Sequence, residues 1–110
     1  MVAVPEITVD ELARQLADGA ALVDVRQPEE YTSGHVPGAV LVPLATVPEN
    51  LGLMTSADGK PVYLICRSGG RSANACVYLA EQGLDAVNVQ GGMIAWVSSG
   101  RHVVEGIDPS

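Results

Sequence analysis

Val62-Tyr63-Leu64-Ile65-Cys66-Arg67-Ser68-Gly69-Gly70-Arg71-Ser72 is the stretch from which the fold of this 110-residue chain can be read. A short apolar run rich in β-branched residues stops at a cysteine. Two glycines and two arginines follow, and a helical pattern begins at Ser72-Ala73-Asn74-Ala75. The stretch predicts a strand, a tight loop of backbone amides, and a helix whose N-terminus points back at the sulfur. Such a place favours an anion, and a thiolate is an anion.

Thr8-Val9-Asp10-Glu11 reads as a capping box opening a helix with Leu12, Ala13 and Leu16 on one face, ending near Asp18-Gly19. Ala21-Leu22-Val23-Asp24-Val25 is a buried strand whose Asp24 needs a partner, either Arg26 or an arginine of the cysteine loop. Pro28, Glu29 and Glu30 suit the first turn of a short helix over residues 27–31. Val40-Leu41-Val42 is a strand, and a weak helix is expected over residues 45–51. Ser56-Ala57-Asp58-Gly59-Lys60-Pro61 is turn chemistry.

The helix after the loop is expected over residues 71–82, with Ala73, Cys76, Val77 and Ala80 forming its apolar face and Gly83 at its end. Ala86-Val87-Asn88-Val89 is a further buried strand, and Gly91-Gly92-Met93-Ile94-Ala95-Trp96 opens a final helix that stops near Gly100. Short strands alternating with helices predict one α/β domain spanning 1–110, a central parallel β-sheet flanked by helices on both faces. Ligands of such sheets bind beyond the carboxyl ends of the strands, where Cys66 falls.

Composition agrees. Phe is absent and there is one Trp, so the core must be built from Val, Leu, Ile and Ala. The net charge of −7 argues against a nucleic-acid partner. No run reaches transmembrane length, and residues 1–6 lack a basic start followed by an apolar stretch, so no membrane partner is expected and a reducing, cytoplasmic setting is the default. Cys and His do not cluster as a metal site would need. Cys66 and Cys76 do not suit disulfide geometry if Cys76 lies in the following helix, where it reads as a structural residue.

The loop's chemistry follows from its charge. An ordinary cysteine, of pKa about 8.5, is only about 3% thiolate at pH 7. To be mostly ionised its pKa must fall by roughly two, worth about 2.7 kcal/mol. A helix dipole supplies about 0.3–1 kcal/mol and cannot be the whole cause; several inward-pointing amides and one or two arginines could supply the rest. Gly69 and Gly70 permit the positive φ that turns amides toward a common centre. Arg67 and Arg71 either lower the thiolate pKa or hold an anionic substrate; side-chain direction decides which. No Cys–His arrangement supplies a general base, which favours thiolate attack on soft sulfur over acyl transfer. His35 reads as structural, Trp96 as a core anchor, and Asp24 with Arg26 as a scaffold pair.

Taken together, Val23-Asp24-Val25-Arg26, Glu30-Tyr31, Gly34-His35-Val36-Pro37-Gly38-Ala39, the loop from Cys66 to Ser72, and Gly91-Gly92-Met93-Ile94-Ala95-Trp96 resemble the signatures of a single-domain rhodanese, in order and spacing. The resemblance implies a sulfurtransferase. Cys66 would take the outer sulfur of thiosulfate or a related persulfide donor, and pass it to cyanide in the test tube or to a thiol in the cell. Arg67, Ser68, Gly69, Gly70, Arg71 and Ser72 would bind the transferred group, and no cofactor or metal is implied. A protein donor or acceptor, with the chain as sulfur carrier or interaction module, is the alternative. Phosphatases and arsenate reductases of related fold carry one residue more between cysteine and arginine than the four here, Arg67 to Gly70, and the smaller loop suits a sulfur atom.

Overall fold

A computed structural model describes residues 4–55 and 59–110. Five parallel strands, β1 (Glu6–Ile7), β2 (Ala21–Asp24), β3 (Val40–Leu41), β4 (Val62–Ile65) and β5 (Ala86–Val89), lie in the order β1-β5-β4-β2-β3. The helices are α1 (Val9–Ala17), α2 (Pro28–Ser33), α3 (Gly70–Glu81) and α4 (Gly92–Ser98).

The period of two along each strand divides the core. Tyr63 and Ile65 of β4, with Leu22 and Val87, pack against Leu12 of α1, Tyr31 of α2, and Met93 and Trp96 of α4. Val62 and Leu64 point the other way, with Val23 and Ala86, onto Ala75, Cys76 and Leu79 of α3 and onto Val47 and Met54. Both faces are covered, as an all-parallel sheet requires.

Most local readings hold. Thr8 Oγ1 accepts from Glu11 N–H at 3.2 Å, but the Glu11 carboxylate is taken by Arg14 and Gln15, so only half of the expected capping box forms. Gly19 and Gly83, at φ +90° and +78°, end α1 and α3 as expected. Trp96 is a core anchor whose Nε1 donates to His102 O at 2.9 Å. His35 is buried and stacked on Tyr31, each ring nitrogen 2.9 Å from a carbonyl oxygen, that of Tyr31 and that of Asp108.

Three expectations are corrected and one strand is added. The helix expected over 45–51 is two 3₁₀ segments, Leu44–Glu49 and Leu51–Leu53, because Pro48 removes a donor and disfavours a continuous α-helix. The buried face of α3 is Ser72, Ala75, Cys76 and Leu79, rather than one built on Ala73, Val77 and Ala80. Its first turn is pinned under the sulfur by Ser72, and that sets the helix's rotation. β1 was not anticipated: two residues carry no readable period, yet Asn88 N–H donates to Pro5 O at 2.8 Å and Gln90 N–H to Ile7 O at 2.8 Å. Gly70 does not take positive φ; it is the first residue of α3, and Gly69 alone supplies the left-handed turn, at φ +106°. The turn over 56–61 lies partly outside the described residues, at 56–58.

Candidate active site

The chain leaves β2 toward β3 and leaves β4 toward β5, in opposite directions across the sheet. The crevice between the carboxyl ends of β2 and β4 is therefore the topological switch point. Asp24 pairs in register with Ile65, which brings Arg26 and Cys66 to the same edge.

Cys66 Sγ is buried, and three hydrogen bonds reach it. Gly69 N–H donates at 3.1 Å, Ser72 N–H at 3.4 Å, and Ser72 Oγ lies at 3.2 Å. Burial pushes the Cys66 thiol up, but these three bonds, with a smaller contribution from the Ser68 amide, outweigh it. They hold the thiol below its ordinary value. Among the described residues, no backbone acceptor takes the amides of Gly70 or Arg71. Their carbonyl partners one turn back are engaged elsewhere: Met93 N–H donates to Cys66 O at 2.9 Å and Ile94 N–H to Arg67 O at 3.0 Å. The start of α4 thus holds the carbonyls of Cys66 and Arg67 and leaves the amides of Gly70 and Arg71 without a backbone acceptor.

The two loop arginines differ. Arg71 reaches across the crevice to α2, its Nη1 and Nη2 donating to Glu30 Oε1 and Oε2 at 2.7 and 2.9 Å. That bond, against a smaller opposing effect of burial, draws the Glu30 carboxyl down to about 2. Arg67 is exposed and enters no ion pair among the described residues. It lines a cleft of about 630 Å³ with Arg26, Glu30, Met93, Ile94 and Val97. Asp24 is fully buried and held by Arg26 Nε and Nη2 at 3.0 and 2.8 Å, and Arg26 Nη2 also donates to Gly34 O at 2.8 Å. The Asp24 partner is therefore Arg26.

Cys76 is buried, and burial above all pushes its thiol up to about 12. Among the described residues, no three His, Cys, Asp or Glu side chains gather as a metal site would require, and no helix is long and apolar enough to cross a membrane.

Two residues that the sequence did not single out stand behind the sulfur. Asn88 Oδ1 is 2.5 Å from Ser72 Oγ, and Asn88 Nδ2 donates to Gly69 O at 3.2 Å and to Glu6 Oε2 at 2.8 Å. The only available signal was one amide inside a four-residue strand of otherwise apolar side chains.

The family model described as the rhodanese-like domain matches residues 8–99, and the chain belongs to that family. Over 104 residues it is 38% identical to a protein of Allochromatium vinosum named sulfurtransferase, covering 92% of this chain and 95% of that one. Over 75 residues it is 48% identical to the putative sulfurtransferase YtwF of Bacillus subtilis, covering 68% and 71% of the two chains. The crystal structure of a rhodanese-like domain protein from Staphylococcus aureus superposes with a TM-score of 0.76 at 42% identity, over 84% of this chain and 90% of that one.

Proposed function

We propose that the chain is a sulfurtransferase that moves a sulfane sulfur from thiosulfate or a related persulfide donor, through a Cys66 persulfide, to a thiophilic acceptor. The observation that carries this reading is the set of three hydrogen bonds on Cys66 Sγ, which favours the thiolate without a general base.

In the first step the Cys66 thiolate attacks the outer sulfur of thiosulfate. The sulfur–sulfur bond of the donor breaks, and sulfite leaves with its electron pair. The amides of Gly70 and Arg71, which no backbone acceptor takes among the described residues, would receive the anionic outer sulfur, while Arg67 at the cleft would meet the anionic donor. In the second step the acceptor, a thiolate or cyanide, attacks that outer sulfur. The persulfide bond breaks, and Cys66 leaves as the thiolate. No proton moves in either step, in keeping with a site that lacks a paired histidine. The relay needs a free thiol, so a reducing cytoplasm suits it.

Incubation with thiosulfate followed by mass spectrometry is expected to add one sulfur atom to the wild type and none to Cys66→Ala. If the wild type gains no sulfur from thiosulfate, polysulfide or a small persulfide, the proposal fails.

A second reading, in which a protein delivers or receives the sulfur, is favoured by Ile94 and Val97, which are 48% and 57% exposed on the cleft wall. Faster loading from a cysteine desulfurase than from thiosulfate would support it.

A further inference from the structure

We propose that Asn88 is a positioning residue of the sulfur centre: it competes with Cys66 Sγ for the single proton of the Ser72 hydroxyl. The inference rests on the reading of Cys66 as the reacting sulfur.

The argument begins with the orientation of the Asn88 amide. Asn88 is buried in β5, on the face that packs against α3. On one side of its amide lie two groups that can only accept, the Glu6 carboxylate and the Gly69 carbonyl. An amide turned the other way would set its oxygen against both of them, so Nδ2 must face that side and spend both protons there. Oδ1 is left facing Ser72 Oγ at 2.5 Å, and as a carbonyl-type oxygen it can only accept. Ser72 must therefore be the donor of that bond. The same hydroxyl lies 3.2 Å from Cys66 Sγ and has one proton for two acceptors.

The state of the sulfur decides which acceptor wins. As a thiol, Cys66 donates its own proton to a lone pair of Ser72 Oγ, and Ser72 donates onward to Asn88, so each group in the line is satisfied. In a persulfide, Sγ is neutral and the charge sits on the outer sulfur, and the Ser72 proton again belongs to Asn88. As a thiolate, Sγ is the stronger acceptor and draws the proton away, leaving buried Asn88 Oδ1 short of a partner. Asn88 thus favours the neutral sulfur and opposes the thiolate, whereas Ser72 favours the thiolate. The thiolate is both the attacking group of the first step and the leaving group of the second, so the pair sets the balance between the two states. The charged and titratable groups around the pair are Arg71 and Cys76 on α3 and Glu6 on β1; none of them is itself substituted in the variants below, and Glu6 loses only its hydrogen bond from Asn88 Nδ2.

The test is the pH dependence of Cys66 alkylation by iodoacetamide, checked by the ultraviolet absorbance of the thiolate. Neither needs a sulfur donor, so a failure of the sulfurtransferase reading leaves this outcome untouched. Ser72→Ala is expected to move the midpoint up. Asn88→Ala is expected to move it down by about half a pH unit, about a threefold gain in thiolate below the midpoint. In the Ser72→Ala background the Asn88→Ala shift should vanish. An unchanged or raised midpoint in Asn88→Ala, or an equal shift in both backgrounds, overturns the proposal and leaves Asn88 a structural tie to the Gly69 carbonyl. Asn88→Val, β-branched like its strand neighbours and without an acceptor, carries the same expectation if the alanine variant does not fold.

Discussion

Gly92 sets its bare Cα against the carbonyl group of Cys66, where a side chain would overlap the cysteine loop. A Cβ there would collide with Cys66 O and lie 2.7 Å from Arg67 O, and the residue's φ of +54° is itself left-handed. The close approach is what lets the first amides of α4 take both carbonyls, and so leaves the amides of Gly70 and Arg71 without a backbone acceptor. Gly92→Ala is expected to cost at least about 2 kcal/mol, from strain and overlap together. Urea titration measures the stability. Sulfur loading of the folded fraction should fall as well, because the loop must move to admit the methyl group.

The Glu30–Arg71 bridge gives a pH-dependent contribution of known sign. Glu30 is held at about 2 in the folded chain, below the value of about 4.3 expected when unfolded. Its contribution is therefore complete above about pH 4.3 and is lost as pH falls through about 2. Both side chains are about a third exposed, so solvent screening limits the pair to about 1 kcal/mol. Glu30→Gln should be less stable than wild type by that amount at pH 7, and the two denaturation midpoints should converge as pH approaches 2.

Asp24 and Arg26 form a buried pair, and removing one partner strands the other. Asp24→Ala is expected to cost about 3–5 kcal/mol, since it leaves the Arg26 guanidinium without its carboxylate. Thermal unfolding monitored by circular dichroism would show it. A change below about 1 kcal/mol would mean that Arg26 swings out through the cleft it lines.

Among the described residues Arg67 enters no ion pair, whereas Arg71 is committed to Glu30. Arg67→Ala is expected to raise the KM for thiosulfate several-fold while changing kcat little, and added salt should shrink the difference. An equal fall in kcat would place Arg67 on the transferring sulfur instead.

The two cysteines should separate cleanly by reactivity. Burial holds the Cys76 thiol up at about 12, while hydrogen bonds lower Cys66. Near neutral pH, iodoacetamide should modify one thiol per native chain, mapped by peptide mass spectrometry to Cys66, and both after denaturation.

Much of this was legible in the chain itself, because the signals involved are local. β4, its cysteine loop and α3 follow from a β-branched run, a glycine that must turn left-handed and a helical period within twenty residues of one another. Asp24 was readable as a charge in an apolar strand, and its partner proved to be two residues away. Other features had no local trace. β1 is two residues long, and the face that α3 buries is set by Ser72 docking under Cys66 rather than by the apolar period.

The order of β2 to β5 and of the four helices, and the position of Cys66 at the end of a strand, are written in the chain itself, since strand period, turn residues and helix starts depend on near neighbours. What surrounds the sulfur is set by tertiary contacts. Arg71 meets Glu30 from 41 residues away, and Asn88 meets Glu6 from 82 residues away. A hydrogen bond needs its donor and acceptor within a few tenths of an ångström of the right separation, and that is set by packing, which no spacing along the chain records.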